Sequence, residues 1–156
     1  VAVIRAMPNT PALVGEGASA IAGGAHSNEV DIAWAEAVLG SVGLVVRVPE
    51  TQLDVVTGLA GSGPAYLFLV AEALMDAGVA SGLPRATAET LVRQLFVGSA
   101  KLLAQGEAPA DLRASVTSPG GTTAAGVSVL ETEAVRAAFI QAVKAATDRS
   151  RELGNR

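Results

Sequence analysis

From residue 50 onward the apolar residues recur with helical spacing, and residues 64–79 are apolar on almost every side. A helix that is hydrophobic all round has to be buried on all of its faces. A chain of 156 residues builds one sizeable core, so part of this apolar surface is expected to meet another chain. The same excess runs through the whole sequence, which is 50% hydrophobic and only 17% charged. Residues 65–75, the longest strongly apolar run, are too few to span a bilayer and include Glu72, so the reading is no membrane segment and no signal peptide. The absence of cysteine removes disulfide and thiolate chemistry and suits a reducing, cytoplasmic location. A net charge of −4 with no basic stripe argues against nucleic acid. The expected ligand is a small molecule.

Before residue 50 the pattern is different. Residues 1–5 are a short β-branched run entering Met7-Pro8-Asn9-Thr10-Pro11, where two prolines forbid a helix. Residues 17–22 and 44–48 read as two more strands, closed by Gly23-Gly24 and by Pro49. Between them Ser27 or Asn28 can cap a helix with Glu29 and Asp31 in its first turn, inward positions Ile32, Ala35 and Leu39, and Gly40 as its stop. Strand, helix and strand predict the tail of an α/β sheet. After it, residues 64–79 follow Ser62-Gly63 as a buried helix. Pro84 opens another, with Leu91, Leu95, Leu102 and Leu103 inward and Arg85, Glu89, Arg93 and Lys101 outward. Residues 109–115 form a short helical turn, Ser118-Pro119 starts a helix reaching Glu131, and residues 134–153 close the chain, with Arg149, Arg151 and Arg156 near the negative end of the dipole.

The stretch richest in chemistry is Val116-Thr117-Ser118-Pro119-Gly120-Gly121-Thr122-Thr123. Serine is a good N-cap, proline suits the first helical position, and two glycines leave the following N–H groups unshielded. Free N–H groups at the positive end of a helix suit a carboxylate or phosphate, and the two threonine hydroxyls add directed hydrogen bonds. The same residues also read as a plain helix start whose glycines serve close packing. Glycine inside a helix costs about 1 kcal/mol relative to alanine, so something should compensate for two of them. A second glycine-rich stretch, residues 58–66 (G-L-A-G-S-G-P-A-Y), has neither the order nor the preceding strand of a dinucleotide loop. It reads as a sharp entry into a helix, with small residues that leave room for a flat ligand.

His26 is the only histidine and reads as a solvated surface residue, and two-histidine metal sites are excluded by count, so no metal is expected. Trp34, Phe68, Phe96 and Phe139 read as core or interface residues. Glu72 and Asp76, at i and i+4, read as a solvated pair.

Four motifs in one order span nearly the whole chain: Met7-Pro8-Asn9-Thr10-Pro11, the stretch of residues 58–66, Gly82-Leu83-Pro84-Arg85, and residues 109–131 (P-A-D-L-R-A-S-V-T-S-P-G-G-T-T-A-A-G-V-S-V-L-E). Together they resemble pyrroline-5-carboxylate reductase, the NAD(P)H-dependent enzyme of proline biosynthesis. The resemblance implies a mainly α fold: a helical dimerisation and substrate domain in residues 50–156, preceded in residues 1–49 by the last α/β strands of a Rossmann-like domain. It implies that Gly120, Gly121, Thr122 and Thr123, with Ser115 nearby, hold the substrate, Thr123 being the candidate catalytic residue. It further implies that Met7, Pro8 and Asn9 approach the nicotinamide end of NADPH or NADH, that Glu50 lies near the ligands, and that the partner is a second copy in a homodimer or higher oligomer. The family's glycine-rich dinucleotide loop has no counterpart in residues 1–156, so this chain alone is expected not to hold the dinucleotide firmly or to turn over.

The chemistry agrees. Reducing a cyclic imine needs a hydride at carbon and a positively charged nitrogen, and such an imine takes its proton from water, so placement and charge stabilisation suffice. Hydroxyacid dehydrogenases share a G-x-x-G-x-G turn but carry a catalytic lysine four residues after the last glycine. Leu67 stands there, and the missing base favours imine reduction. A non-catalytic dimerisation module is the rival from another class. It accounts for the apolar helices but not for a glycine-rich helix start facing a ligand.

Overall fold

The computed structural model describes residues 1–154, so the expected contribution of Arg156 to the last helix lies outside the described residues. In chain order the elements are β1 (Ile4–Met7), β2 (Gly17–Gly23), α1 (Glu29–Gly40), β3 (Gly43–Arg47), α2 (Leu53–Val56), α3 (Gly63–Ala80), α4 (Arg85–Leu103), α5 (Pro109–Ser115), α6 (Thr122–Thr132) and α7 (Val135–Gly154). Short 3-10 turns at Thr10–Val14 and Glu50–Gln52 and a π-helical turn at Thr57–Gly61 complete the path; the first corrects the expectation that Pro8 and Pro11 forbid a helix, since proline is tolerated in a first helical turn, where Pro11 stands. No strand follows β3 among the described residues, so the fold is mainly α after a short α/β start.

Packing groups the chain into two units, residues 1–66 with those from 138 onward, and residues 67–137. The expected division at residues 49 and 50 follows the change of element type, whereas this grouping follows contacts.

In the first unit the sheet order is β1-β2-β3. β1 runs antiparallel to β2 with Ile4 opposite Gly23, and β2 runs parallel to β3 with Gly17 opposite Gly43. β1 lies later than the expected residues 1–5, because the ladder continues to Met7 and stops where Pro8 has no N–H to donate. Gly43, at φ 151°, is required where β3 starts, since a Cβ there would run into the backbone of Gly17. α1 is entered through a capping box: Asn28 accepts from Val30 N at 2.8 Å and Asp31 N at 3.1 Å, and Asp31 accepts from Asn28 N at 2.9 Å. Of the two cap candidates it is therefore Asn28 that caps, while the Ser27 hydroxyl donates to Gly24 O. Ala35 is buried, with Ile32 and Leu39 half-buried beside it. The core of this unit comprises Ala20, Ala22 and Leu53 packed against Met7, Val48 and Val56. From residue 138 onward α7 closes it, where a Cβ on the buried Gly58 would come 2.7 Å from Val143 O and collide with Thr147 Oγ1. The Ser150 hydroxyl donates to Asp54 at 2.6 Å.

The second unit is less covered. α3 ends in a Schellman arrangement: Leu83 N donates to Gly78 O, Gly82 N donates to Val79 O, both at 3.0 Å, and Gly82 takes φ 104°. Pro84 then starts α4, and Arg85 pairs with Asp76 at 2.8 Å across the turn. Ala88 and Val92 are the buried residues of α4. The expected inward face of α4 is therefore not covered within the chain: Leu91, Leu95, Leu102 and Leu103 are all at least 50% exposed. The helix expected to be buried all round, α3, has no buried residue, and Leu67, Phe68 and Leu69 are 54%, 64% and 64% exposed. Trp34 on α1 is also exposed rather than core. Periodicity identifies faces that need cover; it does not say which molecule supplies it. The helical run Glu50–Ala80 is, by length and composition, long and apolar enough to cross a membrane, because the turns before α3 lengthen the apolar run that the sequence reading stopped at residue 75. Core helices of soluble proteins have the same properties.

Candidate functional site

The substrate candidates sit together in the second unit. α5 ends at Ser115, which is exposed and whose hydroxyl donates back to Leu112 O at 2.8 Å. Thr117 likewise turns back onto Arg113 O. The next four residues correct the sequence reading. Ser118 is not a helix cap and Pro119 is not a first helical residue; they are the first two corners of a turn closed by Gly121 N donating to Ser118 O at 3.0 Å. Gly120 takes φ 70°, which makes this a type II turn with proline and then glycine at its centre. Gly121 is the N-cap, extended at φ −79° and ψ 171°, and α6 begins only at Thr122. Neither glycine is inside a helix, so the helix-interior cost does not arise. Gly120 is needed for its backbone conformation. Gly121 is needed for space, since a Cβ there would collide with Ser118 Oγ and lie 3.1 Å from Ser118 O.

The turn aims the start of α6 and leaves it open. Among the described residues no side chain caps it, so its first N–H groups are open to an anion. Thr122, exposed, and Thr123, half-buried, hold its first two positions. Among the described residues neither hydroxyl is engaged, unlike those of Ser115, Thr117 and Thr132, which all bond backbone carbonyls. At the far end of α6, Glu131 pairs with Arg136 at 2.7 Å and with Arg113 of α5 at 3.8 Å. The hydrogen bond from Arg136 holds the Glu131 carboxyl below its usual range.

The cofactor candidates sit together in the first unit. Met7 ends β1 and belongs to the core fringe, its Cε lying where a Cβ on Gly61 would fall. Pro8 ends the ladder. Asn9 accepts from Ala18 N at 2.9 Å and donates to Ala60 O at 3.1 Å. Glu50 forms an ion pair with Arg5 of β1. Three of the four candidates thus tie β1 and its exit turn to residues 50–61. Sequence reasoning passed over Tyr66, whose hydroxyl donates to Gly58 O at 3.0 Å, and the π-helical turn; the run of small residues at 58–63 was the available signal.

A dinucleotide needs a place for its pyrophosphate, and the described residues do not offer one of the Rossmann kind. Their strand–helix–strand step is β2-α1-β3, where the start of α1 is already capped by Asn28 and carries Glu29 and Asp31. The Asn28 side chain already accepts from Val30 N and Asp31 N, so these N–H groups are not open to a phosphate. The stretch at residues 58–63 is helical rather than a loop between strand and helix. No three metal-ligating side chains converge among the described residues.

An α/β sheet segment followed by helices that leave their apolar faces uncovered, with an open glycine-entered helix start, defines a class: a helical domain with uncovered apolar faces attached to a Rossmann-like sheet. The family model for pyrroline-5-carboxylate reductase dimerisation matches residues 50–153. The chain belongs to the pyrroline-5-carboxylate reductase family. It is 53% identical over 156 residues to a pyrroline-5-carboxylate reductase of Synechocystis sp., covering 99% of this chain and 58% of the relative. It is 51% identical over 151 residues to one of Arabidopsis thaliana, covering 96% of this chain and 55% of that protein. Among solved structures, a Coxiella burnetii pyrroline-5-carboxylate reductase superposes with TM-score 0.93 at 41% identity, covering 97% of this chain and 57% of that one. A Plasmodium falciparum pyrroline carboxylate reductase with NADP bound superposes with TM-score 0.90 at 35% identity, covering 98% and 62%. The chain therefore spans less than two thirds of the length of these relatives.

Proposed function

We propose that this chain is the substrate-holding and dimerisation part of a soluble, cytoplasmic enzyme that reduces 1-pyrroline-5-carboxylate to L-proline with NADPH or NADH. The observation that carries this reading is the open start of α6, where a type II turn delivers two unengaged threonines and free N–H groups. The dinucleotide, when bound, supplies the hydride. Residues 120–123 bind the substrate carboxylate through the N–H groups at the helix start, and the Thr122 and Thr123 hydroxyls reach the carboxylate and the ring nitrogen. Thr123 is the residue assigned to the reacting end. Ser115 lines the approach, and Met7, Pro8, Asn9 and Glu50 belong to the nicotinamide side. No protein acid is asked to protonate the imine, which suits a chain whose one histidine, His26, lies in the β2–α1 connection away from these residues in sequence. The uncovered faces of α3 and α4 are assigned to a second copy, so that residues 50–156 are the dimerisation domain and residues 1–49 the end of the Rossmann-like domain.

Binding separates this reading from a bare dimerisation module. L-Proline is expected to bind the chain measurably by calorimetry or ligand-observed NMR, with acetate at the same concentration binding at least about tenfold more weakly, because a ring nitrogen adds a charged hydrogen bond of roughly 1.5 to 3 kcal/mol. Equal binding of the two would leave only a generic anion site.

A further inference from the structure

We propose that Asn9 is a positioning residue: its amide clamps the π-helical turn Thr57–Gly61 against the exit turn of β1, and it acts through that turn rather than by touching a ligand. The two polar atoms of the side chain are both occupied by backbone. Oδ1 accepts from Ala18 N at 2.9 Å and Nδ2 donates to Ala60 O at 3.1 Å. A backbone donor on one side and a backbone acceptor on the other fix which way the amide faces.

The reason the turn needs a clamp lies in its geometry. Ser62 N donates to Thr57 O at 2.8 Å, one residue further than an α-helix reaches. Such a bulge is rare and persists only where its surroundings hold it. It disturbs the regular bonding ladder, and two of its carbonyls receive donors from side chains: Ala60 O from Asn9 and Gly58 O from the Tyr66 hydroxyl at 3.0 Å. Met7 adds packing, its Cε filling the space beside Gly61. Two of the three residues in Met7-Pro8-Asn9 therefore grip two successive residues of the turn. Gly58 lies close against α7, where a Cβ would come 2.7 Å from Val143 O and collide with Thr147 Oγ1. The turn thus has contacts to α7 as well as to β1 and its exit turn. The consequence for catalysis rests on the reading given under Proposed function, in which Met7 and Asn9, the residues that grip this turn, belong to the nicotinamide side.

The test has two arms. In the chain itself, Asn9→Asp keeps the acceptor for Ala18 N and loses the donor to Ala60 O. Amide exchange by NMR is expected to quicken about fivefold or more at Ser62, the effect of one lost hydrogen bond, and to stay within about twofold at Ala18. Asn9→Ala should quicken both, and Tyr66→Phe only Ser62. Unchanged Ser62 exchange in Asn9→Asp overturns the clamp. In the second arm the chain carries the N-terminal segment of the Synechocystis relative, and rates are normalised to sites titrated with proline, so that misfolded protein is not counted. Asn9→Asp is expected to lower kcat about tenfold, as a slight misplacement does, with KM for the dinucleotide within about twofold. A rise of that KM with kcat unchanged would make Asn9 a ligand contact and overturn the proposal. An unsubstituted protein with no reductase activity would sink the functional reading while leaving the exchange arm to decide the clamp.

Discussion

Leu67→Glu is expected to abolish self-association while leaving the single chain folded. Leu67 lines a groove of about 390 Å³ with Leu74, Leu95, Phe96, Ser99, Ala100 and Leu103, none of which carries a positive charge to neutralise a carboxylate. In the isolated chain the residue is 54% exposed, so a glutamate there reaches water and costs the monomer little. Once a second copy covers α3 and α4, the same carboxylate is desolvated without a partner, at a cost of several kcal/mol. Each kilocalorie is large against a typical domain stability of about 5 to 15 kcal/mol. Sedimentation at micromolar concentration, without detergent, should find the unsubstituted chain as a dimer or larger and Leu67→Glu as a monomer with helical circular dichroism largely kept. The variant loses the stability that association adds, so it should also melt earlier. A stable dimer in Leu67→Glu, or a well-folded monomer in the unsubstituted chain, contradicts the assignment of these faces to a second copy. A chain that enters solution only with detergent would point instead to a lipid partner for the run Glu50–Ala80.

Thr123→Val is expected to cost activity and spare the fold. Valine keeps the branched shape at the second position of α6 and removes only a hydroxyl that makes no bond within the described residues. A hydrogen bond to substrate is worth roughly 0.5 to 1.5 kcal/mol if neutral and roughly 1.5 to 3 if its partner is charged. In the chain joined to the N-terminal segment of the Synechocystis relative, kcat/KM for the imine should therefore fall about twofold to a hundredfold or more, with the midpoint of melting shifted by only a degree or two. Equal kcat/KM would leave the backbone N–H groups as the whole of the carboxylate site, and unfolding would make the hydroxyl structural.

The outline was legible where local chemistry decides. The capped start of α1, the strand-ending Pro8, Pro84 before α4 and the positive-φ Gly82 are all local signals, and each element lies within a few residues of its expected place. The start of α6 misled for an instructive reason. Ser118-Pro119 is as good a helix opening as it is a type II turn, and what decides is Gly120, whose positive φ commits the chain to the turn and moves the helix to Thr122. The leucines of α4 misled differently: the period was right and the covering molecule was missing. The π-helical turn could not be read, because it depends on a donor far away in sequence, Asn9, meeting Ala60, beside the nearby Tyr66 meeting Gly58. The candidate residues themselves were named by motif, and folding gathers them as two groups, residues 115–123 in one unit and residues 7–9 with Glu50 in the other.

Imine-dependent oxidation of NADPH decides whether these residues serve a reductase. The chain of 156 residues is expected to show no turnover, because the one strand–helix–strand step among its described residues starts a helix whose first N–H groups Asn28 already caps, where a pyrophosphate would have to sit. Joined to the N-terminal segment of the Synechocystis relative, it is expected to oxidise NADPH only when 1-pyrroline-5-carboxylate is present, forming L-proline mole for mole, at a kcat in the ordinary enzyme range of about 1 to 1,000 per second. Turnover by the chain alone would contradict the assignment of dinucleotide binding elsewhere. A well-folded joined protein that binds NADPH and yields no proline would contradict the function itself.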